Sequence, residues 1–280
     1  MRRADGKKVK NMPAFGRIFP YIMSARHDSQ NLFRADIDAA PIDTFINRWR
    51  KEGVQITRMG LILTAYLRLV SQNPSLNRFV MGKTIYARNH FVVSFVLLKG
   101  QSSAGEETVV KVPLDLADNV FEVSEKVTQA IIQNRDKSNE NSMDRLLSGV
   151  MRIPLIPSMV VSLLKLLDRM GVLPRSFIDA SPFHTSLFLS NLASIRTNYI
   201  YHHLYNFGTT SEFITLGQHV KQLALVGGEV VEKKLYPLAI VTDERICPGD
   251  YYARCFRQLE HFLKNPEILE QRAEQVLMEQ

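Results

Sequence analysis

Three short stretches carry the side chains best placed to do chemistry. The first is Asp243-Glu244-Arg245-Ile246-Cys247-Pro248-Gly249, which follows an apolar, strand-like run. A carboxylate beside a second carboxylate holds its proton more tightly, while an adjacent arginine works the other way. Glu244, a candidate general base, stands between Asp243 and Arg245, so the two neighbours pull its proton affinity in opposite directions. A glutamate of ordinary pKa, about 4.3, is a weak base toward a thiol of about 8.5, and burial narrows that gap. The plain alternative for Glu244 is a loop carboxylate paired with an arginine. Cys247 is a candidate covalent nucleophile, although no histidine adjoins it in sequence.

The second stretch is Phe188-Leu189-Ser190-Asn191-Leu192, which places a serine at the end of an apolar run. Ser190 is either a hydrogen-bond donor in a site or a strand-end hydroxyl satisfied by the backbone. The third is Tyr201-His202-His203-Leu204-Tyr205. Adjacent side chains of an extended segment point to opposite faces, so one imidazole of the pair can face a channel; His203 is the candidate. His184 shares strand parity with Ser190 but lies about 20 Å of extended chain away, too far for direct cooperation. No Cys/His set has zinc spacing, and two cysteines, Cys247 and Cys255, make no disulfide framework.

These residues need a scaffold, and the periodicity supplies an α+β one. Helices are expected over Phe15–Arg26, Ile42–Lys51, Ile56–Val70, Val120–Asn134 and Tyr251–Leu263. Strands are expected at Ile85-Tyr86 and over Val92–Leu98, Thr108–Pro113, Thr185–Leu189, Glu212–Leu216, Gln222–Val226, Glu229–Lys233 and Tyr236–Thr242. Asn31–Ile37 reads as extended and Arg135–Asn141 as a linker. Gly227-Gly228 is a two-residue hairpin signal. Met151–Pro174 is unusually apolar, with Ser158, Ser162, Lys165 and Arg169 on one helical stripe. Such a helix needs a partner: the core, a neighbouring subunit, an acyl chain or a membrane surface.

The chain has 280 residues, 45% hydrophobic and 22% charged, with a net charge of +7. That is an ordinary composition for a globular protein. Residues 1–14 form a basic arm holding Arg2, Arg3, Lys7, Lys8 and Lys10, and residues 15–280 form one domain with 151–174 as an apolar helical insertion. The arm lacks interleaved aromatic residues for base stacking, so a solvated tail is expected and nucleic acid is not. No apolar run reaches the roughly 18 residues of a spanning helix. A reducing cytoplasm fits the cysteine usage.

The ordered set of motifs resembles a known family. The hairpin Gly227-Gly228-Glu229-Val230-Val231 leads through Tyr236-Pro237-Leu238 to the Asp243–Gly249 run, and Leu263-Lys264-Asn265-Pro266-Glu267 follows. Upstream stand Phe188-Leu189-Ser190-Asn191-Leu192 and Asn73-Pro74-Ser75-Leu76-Asn77. Together they resemble, collinearly from about Phe15 to Leu269, the catalytic domain of the dihydrolipoyl acyltransferases of 2-oxo acid dehydrogenase complexes. That domain shares its fold with chloramphenicol acetyltransferase. The resemblance implies a mixed sheet flanked by helices and acyl transfer from coenzyme A to a thiol or hydroxyl. It also implies a homotrimer or a multiple of trimers with the channel between subunits, and possible service to a lipoyl or carrier domain in trans. Ser190 stands at the oxyanion donor's position. The family's motif is Asp-His-Arg, two variable residues, Asp or Asn, then Gly; here Glu244 replaces the histidine and Pro248 the Asp or Asn. Gly249 keeps the glycine and leaves a sharp turn open. Altered or weak activity is expected, or a non-catalytic oligomeric scaffold or acyl-coenzyme A-binding protein of the same fold. No lipoyl or subunit-binding module precedes the domain, so a free-standing relative without covalent lipoyl group or metal is expected.

Overall fold

A computed structural model describes residues 3–98, 107–135 and 156–279. The expected linker beyond Arg135, and residues 151–155 of the apolar insertion, lie outside the described residues.

The main sheet runs in the order β2 (Gln30–Asp38), β10 (Glu229–Asp243), β8 (Glu212–Leu216), β7 (Leu187–Asn191), β5 (Phe91–Leu98), β6 (Glu107–Leu114), with β9 (Val220–Val226) paired to the first half of β10. Only β5 with β7 and β7 with β8 are parallel; the other pairs are antiparallel. A second, three-stranded sheet has the order β1 (Gly6–Lys8), β4 (Thr84–Arg88), β3 (Arg78–Met81). This is the expected α+β class with a mixed sheet.

Side-chain alternation divides the work of the main sheet between its faces. Leu187, Leu189, Ile214, Leu216, Leu238 and Ile240 join the main core. That core is roofed by helices α2 (Ala39–Lys51), α3 (Arg58–Gln72), α4 (Val120–Arg135) and α7 (Gly249–Lys264). Helix α3 is buried along almost its whole length, as its proline-free apolar run requires. Thr57 caps it by accepting from the Gly60 amide, and Asn73-Pro74 ends it. The other face carries Phe188, Phe213 and Val241 and is covered by an extended segment through Leu204. Among the described residues the remaining α-helices are α1 (Ala14–Ile22), α5 (Ile156–Met170) and α6 (Arg175–Ala180).

Several boundaries differ from expectation. Helix α1 stops at Ile22 rather than Arg26, and β7 runs two residues further, to Asn191. The two strands expected on either side of Lys234 are one strand, β10. Its partner changes at Pro237: β9 pairs with Glu229–Leu235 and β8 with Leu238–Thr242. A proline has no N–H for a ladder, and Pro237 sits at the seam, where its carbonyl accepts from the Gly217 amide.

The expected solvated N-terminal arm is instead part of the domain. Gly6–Lys8 pairs with β4, and Arg3 and Asp5 are buried. Arg3 bonds Asp5 (2.9 Å) and Asp168 of α5 (2.8 Å). Asp168 also meets Nε2 of His184 at 3.1 Å, and Nδ1 of His184 meets the Ser181 hydroxyl at 2.7 Å. Burial alone would raise both carboxyls, but Arg3 holds Asp5, and His184 with Arg3 holds Asp168, below the usual carboxylate range. His184 is thus a structural link in front of β7 rather than a strand residue.

Glu212 is the other buried carboxyl of note. It lies on β8 opposite Thr242 and accepts a hydrogen bond from the Tyr66 hydroxyl of α3. Burial pushes its pKa from 4.5 up to about 8. An acid raised in the folded state stabilises the fold below its unfolded pKa and loses that contribution as pH rises to the folded value. Stability is therefore expected to fall between pH 4.5 and 8, by at most about 5 kcal/mol from this group. Chemical denaturation at pH 5 and pH 8 measures the fall, and Glu212→Gln is expected to flatten it.

Candidate functional site

The motif loop is built around Asp243, the last residue of β10, which is fully buried. Its carboxylate accepts from the Arg245 amide (3.1 Å), Arg245 Nε (2.8 Å), Arg245 Nη2 (2.7 Å) and the Ser29 hydroxyl (3.0 Å). Arg26 lies 3.9 Å away; burial pulls its guanidinium down to about 10 while Asp243 works the other way. The Tyr252 hydroxyl of α7 donates to the Asp243 carbonyl at 2.9 Å. The Arg245 partner in this loop is thus Asp243, and Glu244 is left out of the ion pair.

Glu244 is half-buried, and its backbone amide donates to the Ser29 carbonyl at 2.8 Å. Its carboxylate has no hydrogen bond or ion pair among the described residues. It lines a cavity of about 320 Å³ with Phe15 and Phe19 of α1, Met12, Arg78 and Cys247. The guanidinium-bearing Arg245 lines the same cavity, and the walls are otherwise mostly apolar.

Cys247, the other candidate of the motif loop, sits in a poor place for a nucleophile. It is buried, its thiol donates to the Ser75 carbonyl at 3.3 Å, and burial pushes its pKa well above the usual thiol value. The thiolate that reacts is therefore scarce. Pro248 is exposed at the start of α7 and offers no side-chain cap. Gly249 opens that helix without a left-handed φ, so the sharp turn left open to it is not taken.

Ser190 is half-buried near the end of β7, on the sheet face of Phe188. It pairs with Thr215, which pairs with Ala239. Glu244 lies five residues beyond Ala239, just past the end of β10. The two are thus separated by about 17 Å along the strands and about 10 Å across them. One chain does not bring Ser190 and Glu244 together.

The Ser190 end of β7 opens on a cleft of about 690 Å³ lined by Asn191, Thr57, Arg58, Asp43, Lys234 and Tyr236. Asp43 accepts from Tyr236 (2.6 Å) and Lys234 (2.8 Å), and Arg58 lies over the Tyr236 ring. Burial works to raise the Asp43 carboxyl, but those two hydrogen bonds keep it below the usual range. The side-chain oxygen of Asn191 is buried here with no hydrogen-bond partner. Asn191 and the Asp43–Lys234–Tyr236 group were not singled out in the sequence, since residues 43, 191 and 234–236 meet only through the sheet.

His203 is exposed and stacks on His202. His202 is the imidazole laid on the sheet, its ring 4.0 Å from that of Phe213 and nearly parallel to it. Phe213 pairs with Phe188, so His202 covers the face that also holds Ser190. Burial keeps His202 below its usual pKa, hence neutral near pH 7. The expectation named His203 as the inward imidazole; it is His202 that lies on the sheet, and His203 is left exposed.

No protein-family model and no curated protein matches the chain in sequence. Solved structures match the fold with probability 1.00. The cubic core of the pyruvate dehydrogenase multienzyme complex aligns at 14% identity and TM-score 0.58, over 94% of each chain. The dihydrolipoamide acetyltransferase of Azotobacter vinelandii, studied for the roles of a serine, a histidine and an asparagine in its mechanism, gives the same figures. A chloramphenicol acetyltransferase aligns at 11% identity and TM-score 0.55, over 92% of this chain and 100% of its own. The chain has the chloramphenicol acetyltransferase-like fold, in a strongly divergent sequence.

Proposed function

We propose that the chain is an acyltransferase-like protein that moves an acyl group from coenzyme A to a thiol or hydroxyl, using sites shared between copies in a trimer or a multiple of trimers. The observation that carries this reading is the unpaired Glu244 carboxylate in a mostly apolar cavity that Arg78 and Arg245 also line, on a fold shared with acyltransferases. Glu244 accepts the proton of the acceptor as its sulfur or oxygen attacks the thioester carbonyl. The Ser190 hydroxyl of a neighbouring copy donates to the oxyanion. Collapse of the tetrahedral species expels the coenzyme A thiolate, which takes the proton from Glu244. The acceptor is a small molecule or a lipoyl or carrier domain presented in trans. Two buried free thiols, Cys247 and Cys255, suit a reducing compartment such as the cytoplasm.

A second reading rests on Pro248. That position has neither a polar side chain nor a backbone N–H, so an oligomeric, acyl-coenzyme A-binding scaffold accounts for the same fold. Release of free thiol from a panel of acyl-coenzyme A donors with thiol and hydroxyl acceptors separates the two. Turnover above the uncatalysed rate is expected. Coenzyme A binding without turnover on any donor would establish the scaffold instead.

A further inference from the structure

Helix α5 turns its most apolar stripe away from the protein. Asp168 is its one fully buried residue. On the opposite side lie Met159, Leu163, Leu166 and Met170, which are 69%, 55%, 53% and 42% exposed. Their spacing of four, three and four residues makes one continuous stripe about 16 Å long. Soluble surfaces carry single exposed apolar residues as a matter of course, but a contiguous patch calls for an occupant. Helix α1 presents a second such stripe in Phe15, Ile18 and Ile22.

A basic strip joins the two helices. Lys83, in the β3–β4 turn, lies over the Tyr21 ring of α1, 5.3 Å from its centroid. The neighbouring Gly82 packs against the Arg169 side chain of α5. Lys8, Lys10, Arg17 and Lys83 line one cleft beside α1, and Lys83 and Arg169 line the next; no carboxylate lines either. Lys165 adds a further exposed cation on α5.

We infer that α1, the β3–β4 turn and α5 form a docking face for an anionic membrane surface. Apolar helical stripes flanked by lysine and arginine insert at the headgroup boundary while the cations meet anionic lipid heads. The cations, with no carboxylate among the lining residues of either cleft, favour an anionic surface and disfavour a like-to-like contact between two copies of this face. Phe15, on the α1 stripe, also lines the Glu244 cavity, which therefore borders the docking face. The inference is independent of acyl transfer.

Vesicle flotation tests it with the whole chain. Binding is expected to be at least about tenfold greater on phosphatidylcholine vesicles containing phosphatidylglycerol than on phosphatidylcholine alone, and to weaken in about 0.5 M salt. The pair Leu163→Glu with Leu166→Glu and the pair Arg17→Glu with Arg169→Glu are each expected to abolish it. Ile132→Glu, which alters an exposed apolar residue on α4, is expected to float like wild type. No flotation on either vesicle, or equal flotation on both, overturns the proposal. So does retention of binding by either pair. Light scattering of the Leu163→Glu, Leu166→Glu variant supplies the remaining check. An unchanged particle mass supports the membrane, and a smaller particle shows the stripe to be an interface between copies.

Discussion

Ser190→Ala is expected to lower acyl-transfer turnover about 10²–10³-fold, the usual effect of losing one oxyanion donor. Glu244→Gln is expected to lower it about 10²-fold or more by removing the base. The strand register makes a sharper test possible. Ser190 and Glu244 lie far apart in one chain, so the proposed site would take Ser190 from one copy and Glu244 from the next. In a closed ring of mixed subunits, about one site in four then receives both intact residues. Co-refolding equal amounts of the two inactive variants should restore about a quarter of wild-type turnover, measured as free-thiol release. Each variant refolded alone should stay inactive. No recovery in well-formed mixed oligomers would mean that the two residues do not act in one site.

Arg3→Ala is expected to destabilise the protein by about 3–5 kcal/mol, the range for breaking a buried ion pair by removing one partner. Without Arg3, the Asp5 carboxylate loses its ion-pair partner and Asp168 keeps only His184. The sign of the pH dependence follows from the depressed carboxyls. Their contribution is present above the unfolded value of 3.8 and is lost as pH falls through the lower folded values. The gap between variant and wild type is therefore expected to be widest near pH 7 and to close toward pH 3. Urea denaturation at both pH values measures it. An equal gap at the two values would mean that the side chain's packing over Phe79 and Tyr86 matters, rather than its charge.

The same arginine shows where sequence reading stops. Five cations in the first ten residues read as a tail, because nothing local reports that Asp168, near the end of α5, and His184, just before β7, complete the Arg3 ion-pair group. The core helices and most strands were legible, since α3 is a long, proline-free and largely apolar run and β8 and the second half of β10 are rich in branched and aromatic residues. The break read between Lys233 and Tyr236 was illusory because Pro237 falls where β10 changes partners. Among site residues, Ser190 and Asp243–Gly249 were visible as strand-end motifs. The choice of His202 over His203 on the sheet depends on how the covering segment meets Phe213. The burial of Cys247 depends on Ser75, which is distant in sequence.

The position of β10 has a consequence for how the protein is made. β10 lies between β2 and β8, yet it is among the last strands to leave the ribosome. Ile37 can find no partner until Tyr236 has been synthesised, and Ile214 waits for Ile240. At about 5–20 residues per second, β2 waits about ten seconds or more for β10, whereas β8 waits only a few seconds and has β7 on its other side. Pairings between such distant segments also close slowly once the chain is complete. The open edges of β2 and β8 are then exposed to other nascent chains. Chaperone capture during synthesis is the expected correlate of this strand order, and release should follow completion of β10.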